Sequence, residues 1–195
     1  LQFLQRCQRP DGLLVDGLGV PPNLMSNAFV ACVLAHVAEA NPILPRLLSA
    51  LAGVKGVQVP NAPEVQQNNQ LQGWPWLPDT FSWIEPTSWG TLALKKAPAG
   101  IAPPAGRARI QEAEDLLVDR VCEIGGWNYG NASTLGQDLR PYVPTTAVAL
   151  LALQDRRAHP VVQRSLAYLE QARVTEPTAM ALGLAAVCLG VFGRP

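Results

Sequence analysis

A Pro-Thr step running into a small, apolar stretch occurs three times, and nothing else in the chain constrains its fold as strongly. Glu85-Pro86-Thr87-Ser88-Trp89 leads into Gly90-Thr91-Leu92-Ala93-Leu94, Val143-Pro144-Thr145-Thr146-Ala147 into residues 148–153, and Glu176-Pro177-Thr178-Ala179-Met180 into residues 181–185. Proline suits the first helical position, where its missing N–H would be an orphan anyway. Alanine and leucine are strong helix formers. A degenerate fourth copy without proline stands at Met25-Ser26-Asn27-Ala28 and runs into residues 29–35. Four helices of one type predict a repeat protein.

The spacing predicts apolar helices over 24–40, 86–96, 144–154 and 177–192. Each is preceded by a more polar helix, over 1–8, from Pro42 or Pro45 to Ala52, over 107–123, and from His159 or Pro160 to Arg173. In the third of these, Ile110, Ala113, Leu116, Leu117 and Val121 fall on one face. Glu112, Glu114, Asp115, Asp119 and Arg120 fall on the other, which is expected to meet solvent. A helix apolar all round needs cover on both sides, whereas an amphipathic one needs it on one. Concentric layers meet both demands, with apolar helices inside and amphipathic ones outside. The expectation is an all-α fold, an α/α toroid of about four hairpins (1–40, 42–97, 107–155, 159–193) in one domain, its ring open or incomplete.

Composition narrows the function. The chain is 48% hydrophobic with a formal net charge of zero, which argues against disorder and against a nucleic-acid partner. Charged residues are only 15% of the chain, so a sparsely charged surface suits an apolar ligand or peripheral contact with a membrane. The longest uncharged run, 177–193, is shorter than the ~20 residues that span a bilayer. The expected location is cytoplasmic, with membrane association as an addition. Cys7, Cys32, Cys122 and Cys188 show no Cys-x-x-Cys spacing, so buried thiols are expected, with disulfides or zinc as the alternatives. The chain starts in mid-helix without an initiator Met, so residues before Leu1 are expected.

Gln8-Arg9-Pro10-Asp11-Gly12 resembles the Gln-x-x-Asp-Gly core of the repeats found in the squalene–hopene cyclase and protein prenyltransferase superfamily. Gly125-Gly126-Trp127 keeps the Gly-x-Trp end of that repeat, and Gly73-Trp74 is a looser copy. Glu176-Pro177-Thr178-Ala179-Met180-Ala181 is similar to the Asp-x-Asp-Asp-Thr-Ala segment that supplies the catalytic acid of hopene-type cyclases. Glu176 and Pro177 stand where aspartates would. The resemblance implies an α/α toroid that holds an isoprenoid or other apolar lipid in a central cavity and cyclises it through a carbocation. Four hairpins are fewer than a closed ring of this superfamily uses, which implies a longer parent chain, a homodimer or an open ring.

Glu85 and Glu176 are the candidate catalytic acids. Each sits at a helix start, where a carboxylate also matches the helix dipole as a simple cap, worth about 0.3–1 kcal/mol. Protonating an alkene calls for a strong acid, and a lone glutamate is a weaker one than a hydrogen-bonded aspartate pair. Trp83, Trp89, Phe81 and Tyr142, with Thr87, Thr145 and Thr178, are the candidate cavity residues. Aromatic faces both pack on polyprenyl chains and stabilise cations. No cofactor and no metal are expected, since the Asp-x-Cys of a prenyltransferase zinc site is missing from the helix starts and His36 and His159 have no partner cluster. A non-catalytic scaffold that holds a protein partner is the alternative from another class. A glycan-active enzyme using Glu85, Asp79, Asp138 or Glu176 is a lesser one.

Overall fold

The computed structural model describes residues 1–17, 19–37, 42–61 and 67–194. Among them the apolar runs form α2 (Leu24–Leu34), α4 (Ile84–Lys95), α6 (Val143–Ala152) and α8 (Ala179–Phe192). They alternate with α1 (Gln2–Cys7), α3 (Ile43–Gly53), α5 (Gly106–Asp119) and α7 (Pro160–Ala172). The fold is therefore all-α, apart from one small antiparallel hairpin of β1 (Ser133–Thr134) and β2 (Gln137–Asp138). The helix expected to reach Ala40 ends at Leu34, and residues 38–40 lie outside the described residues. The one expected to reach Glu123 ends at Asp119. There the chain turns into a tight loop in which the Cys122 N–H donates to Gly126 O and the Gly125 N–H to Cys122 O, each at 2.9 Å.

Prolines do not set the register of the repeat. Pro86 is the third residue of α4, Pro144 the second of α6, and Pro177 precedes α8 altogether. All the N–H groups of a first helical turn lack an intrahelical acceptor, so proline is tolerated at any of them. Backbone bonds give the true alignment. The N–H groups of Asn27, Thr87, Thr146 and Leu182 donate to the carbonyls of Asn23, Trp83, Tyr142 and Thr178, the residues that precede their helices. Thr146, rather than the expected Thr145, is therefore the counterpart of Thr87.

Three of these aligned residues clamp the turn before their helix. Asn27 accepts from the Leu14 N–H at 2.7 Å and donates to the Leu14 carbonyl at 2.9 Å. Thr87 Oγ1 accepts from the Trp74 N–H at 3.0 Å and faces its carbonyl at 3.4 Å. Thr146 does the same to Trp127, at 3.0 and 3.3 Å. All three side chains are buried, so losing a clamp leaves main-chain groups without partners, at about 1–3 kcal/mol. The tryptophans extend the tie outward. The Trp74 indole N–H donates to Leu51 O at 2.9 Å and that of Trp127 to Leu117 O at 2.6 Å. Both acceptors are carbonyls from the last turns of α3 and α5; that of Leu51 also takes a long bond from the C-cap N–H of Val54 at 3.2 Å. Gly12 and Gly125 close equivalent turns at φ +93° and +92°, where a Cβ would lie 2.6 Å from Arg46 O and 2.8 Å from Arg164 O. Only glycine meets both demands.

Packing follows the same order. α2 lies against α4, α4 against α6 and α6 against α8, with α3, α5 and α7 packed alongside. One apolar cluster runs through them all. The polar face of α5 departs from expectation, because Glu114 on it is buried, as is Arg120 just beyond its end; Arg109, on the packed side, is buried too. Glu114 pairs with Lys95 and with Arg156, both at 2.6 Å, and so ties α5 to the C-terminal end of α4 and to the short turn after α6. Helical periodicity alone cannot register neighbours that arrive from distant segments. Cover is also one-sided for α8, which buries Ala181, Ala185, Cys188 and Leu189 but leaves Met180, Leu182 and Val187 exposed.

Candidate functional site

The N-terminal ends of α4, α6 and α8, with the loops that enter them, form a run of adjoining clefts. The middle one, about 300 Å³, is lined by Phe81, Trp83, Tyr129, Tyr142 and polar groups that include Asn128 and Arg140. It shares Tyr129 and Tyr142 with a second of about 460 Å³, which Glu176, Thr178 and Met180 also line. It shares Phe81, Ser82 and Asn131 with a third of about 170 Å³. The rings come in pairs. Phe81 and Trp83 lie with centroids 5.7 Å apart, Tyr129 and Tyr142 at 5.0 Å, both tilted. The backbone fixes them: the Trp83 N–H donates to Trp74 O at 3.1 Å, that of Tyr142 to Trp127 O at 2.9 Å, and that of Ile84 to Tyr129 O at 2.9 Å. The clamped turns therefore hold both aromatic pairs at the N-terminal ends of α4 and α6, half-exposed and oriented before any ligand arrives.

Of the residues singled out from the sequence, Phe81, Trp83 and Tyr142 meet in the middle cleft, and Tyr142, Glu176 and Thr178 in its neighbour. Trp89 is half-buried elsewhere on α4, edge-on to Phe29 of α2 at 5.1 Å and 86°. Thr87 does not line a cleft: it is fully buried and its hydroxyl is committed to Trp74. Thr145 is also fully buried, and its hydroxyl faces Glu85 Oε1 at 3.4 Å.

The two candidate acids sit in different settings. Glu176 Oε1 accepts from the Thr178 N–H at 3.0 Å and from its hydroxyl at 2.6 Å, a local turn just ahead of α8 that reaches none of the helix's own N–H groups. Glu85 is half-buried, and burial pushes its carboxyl above the ordinary range while the hydrogen bond from Thr145 draws it part of the way back. Among the described residues no hydrogen bond joins the two glutamates, and neither is paired with a second carboxyl. A single desolvated acid can hold or release a proton next to an apolar ligand. It lacks the coupled partner that would make it strong enough for an unactivated alkene.

The shift on Glu85 has a testable sign. Its folded-state pKa lies above the unfolded value, so the charged form costs stability, and the cost grows as pH rises from the carboxylate range through the folded value. Glu85→Gln is expected to raise stability near pH 7 by less than about 1 kcal/mol, since the group is partly exposed and screened. The difference from the parent should close toward about pH 3, where the parent carboxyl is protonated in both states. Denaturant titrations at both pH values check this, and a variant less stable than the parent near neutrality contradicts it.

Some of the site escaped the sequence. Arg120 lies on the floor of the smallest cleft, although the helical pattern places it on a solvated face. Asn131 and the hairpin beside it, with Leu135 at φ 51° and 90% exposed, carry no alternating pattern to announce a strand. Tyr129 is visible as one of the aromatics after Gly126, but only the Ile84 bond shows that it faces Trp83's cleft. Cys32, Cys122 and Cys188 are buried free thiols, and burial pushes those of Cys32 and Cys188 up to about 12, which makes both inert as nucleophiles. Among the described residues no helix is long and apolar enough to cross a membrane. Compared with known proteins, the chain matches no protein-family model and no curated protein.

Proposed function

We propose that this protein binds an isoprenoid or another apolar lipid in the clefts at the mouth of its inner helices, on an α/α toroid arc of the squalene-cyclase and prenyltransferase kind. The order of helix packing, α2 to α4 to α6 to α8 with the amphipathic helices alongside, supports the arc. The observation that carries the binding reading is the pair of half-exposed ring stacks, Phe81–Trp83 and Tyr129–Tyr142, held across continuous clefts by clamped backbone. Exposed aromatic pairs of this kind offer an apolar chain a preorganised surface, with little ordering entropy lost on binding. Catalysis forms no part of the proposal, because Glu85 is solitary and the Glu176 carboxylate is committed to the Thr178 N–H and hydroxyl.

Mass spectrometry of organic extracts from natively purified protein tests the reading. An isoprenoid or other apolar lipid should be recovered from the parent and lost from Trp83→Ala with the fold intact. Extracts of the parent that contain neither class of lipid contradict it. A scaffold reading is favoured by one observation, the exposed Met180, Leu182 and Val187 on α8. It predicts that Trp83→Ala changes nothing while Val187→Glu abolishes a protein complex.

A further inference from the structure

Next to the aromatic clefts lies a polar end. Arg120 is buried, its side chain 7% exposed, yet it lines the cleft of about 170 Å³. Its guanidinium is thinly partnered. Nε donates to Asp119 at 3.3 Å and Nη1 to Asn131 Oδ1 at 3.5 Å, both long for charge-assisted bonds. Among the described residues Nη2 has no hydrogen-bond partner. Asp119 is meanwhile shared with the backbone N–H of Asn68 at 3.0 Å. Two further donors belong to the same cleft. Ser82 Oγ accepts from the Gly73 N–H at 2.8 Å, which leaves its own proton without an acceptor among the described residues. Asn131, whose Oδ1 faces Arg120, has its amide nitrogen likewise unpartnered among them. A desolvated cation with spare donors, beside a hydroxyl and an amide, fits an oxyanion.

Charge limits which oxyanion. Asp119 already offsets part of the Arg120 charge, so the cleft suits a monoanion rather than a diphosphate. A carboxylate also matches the planar guanidinium fork. Val57, Val59, Leu71 and Phe81 supply the apolar wall, Gln67 and Asn69 (hydrogen-bonded to each other at 2.9 Å) line it too, and Phe81 with Ser82 opens directly onto the aromatic cleft. We infer that the lipid is a carboxylic acid, its carboxylate held by Arg120, Ser82 and Asn131 and its chain laid across the Phe81–Trp83 and Tyr129–Tyr142 pairs. This rests on the apolar-ligand reading above and adds the head group.

Calorimetric titration of the full chain with a saturated long-chain fatty acid, the primary alcohol of equal length, and acetate tests it. The acid should bind at least about tenfold tighter than the alcohol, the difference expected of a charge-assisted pair in a desolvated cleft, and acetate far more weakly than either. Arg120→Met should bring the acid to the alcohol's affinity and leave the alcohol unchanged. Asn131→Ala, at an exposed position, should weaken only the acid, which keeps the inference testable if removing the buried arginine unfolds the protein. Equal affinity for acid and alcohol overturns the head-group assignment and leaves the apolar reading standing. Acetate binding as tightly as the long acid overturns the joined cleft. If neither long chain binds, the underlying reading falls and this inference with it.

Discussion

Arg109→Met is expected to destabilise the protein by about 3–5 kcal/mol, the cost of removing one member of a buried charged network. Few side chains tie as many segments together. Nη1 donates to Gln72 O at 2.8 Å and to Glu112 at 2.9 Å, while Nη2 donates to Val54 O at 3.1 Å and Gly73 O at 3.2 Å. The guanidinium also lies 4.1 Å from the centroid of the Trp74 ring, a cation–π contact out of solvent. Methionine fills much of the volume but offers no donor, so three main-chain carbonyls lose a partner in the interior. The residue already bears one cost, since its Nε is buried without a partner among the described residues and burial lowers its pKa. Urea titration of the variant measures the loss, and a loss under about 1 kcal/mol contradicts this account of the residue.

Trp127→Ala is the second large effect, at about 3–5 kcal/mol, from a cavity left by a fully buried indole. The cavity term comes with a lost hydrogen bond to Leu117 O at the end of α5. The turn that Thr146 clamps would persist, because the threonine grips main-chain atoms of residue 127 rather than its ring. Trp127→Phe separates the two contributions. It keeps most of the packed volume, so a loss near 1–2 kcal/mol isolates the indole bond and the residual gap. Thermal unfolding of both variants, read together, checks the ordering.

Helix number, type and order were legible because the apolar and amphipathic periods alternate without interruption, and alanine- and leucine-rich runs have few other uses. Register was not. The Pro-Thr phrase marks a helix start only to within the orphan first turn, whereas the residue that fixes the repeat is a hydrogen-bonding side chain that can be Asn27, Thr87 or Thr146. A pattern search for one residue type misses that equivalence. The aromatic part of the site could be read, since Phe81, Trp83 and Tyr142 cluster around helix starts. Its polar end could not. Arg120 and Ser82 are 38 positions apart in the chain (120 − 82), and no local pattern predicts that they share a cleft. Thr87 and Thr145 were misplaced for the same reason, because burial depends on which turn folds over them.

The five tryptophans provide the most direct test of how the clamped turns and the aromatic clefts divide the work. In proton–nitrogen spectra of the indole groups, Trp74 and Trp127 should be strongly protected from solvent exchange and stay in place as a long-chain ligand is added. Trp83 should move in proportion to saturation. Shifts confined to Trp74 and Trp127, or a Trp83 signal unmoved by saturating ligand, would contradict the account.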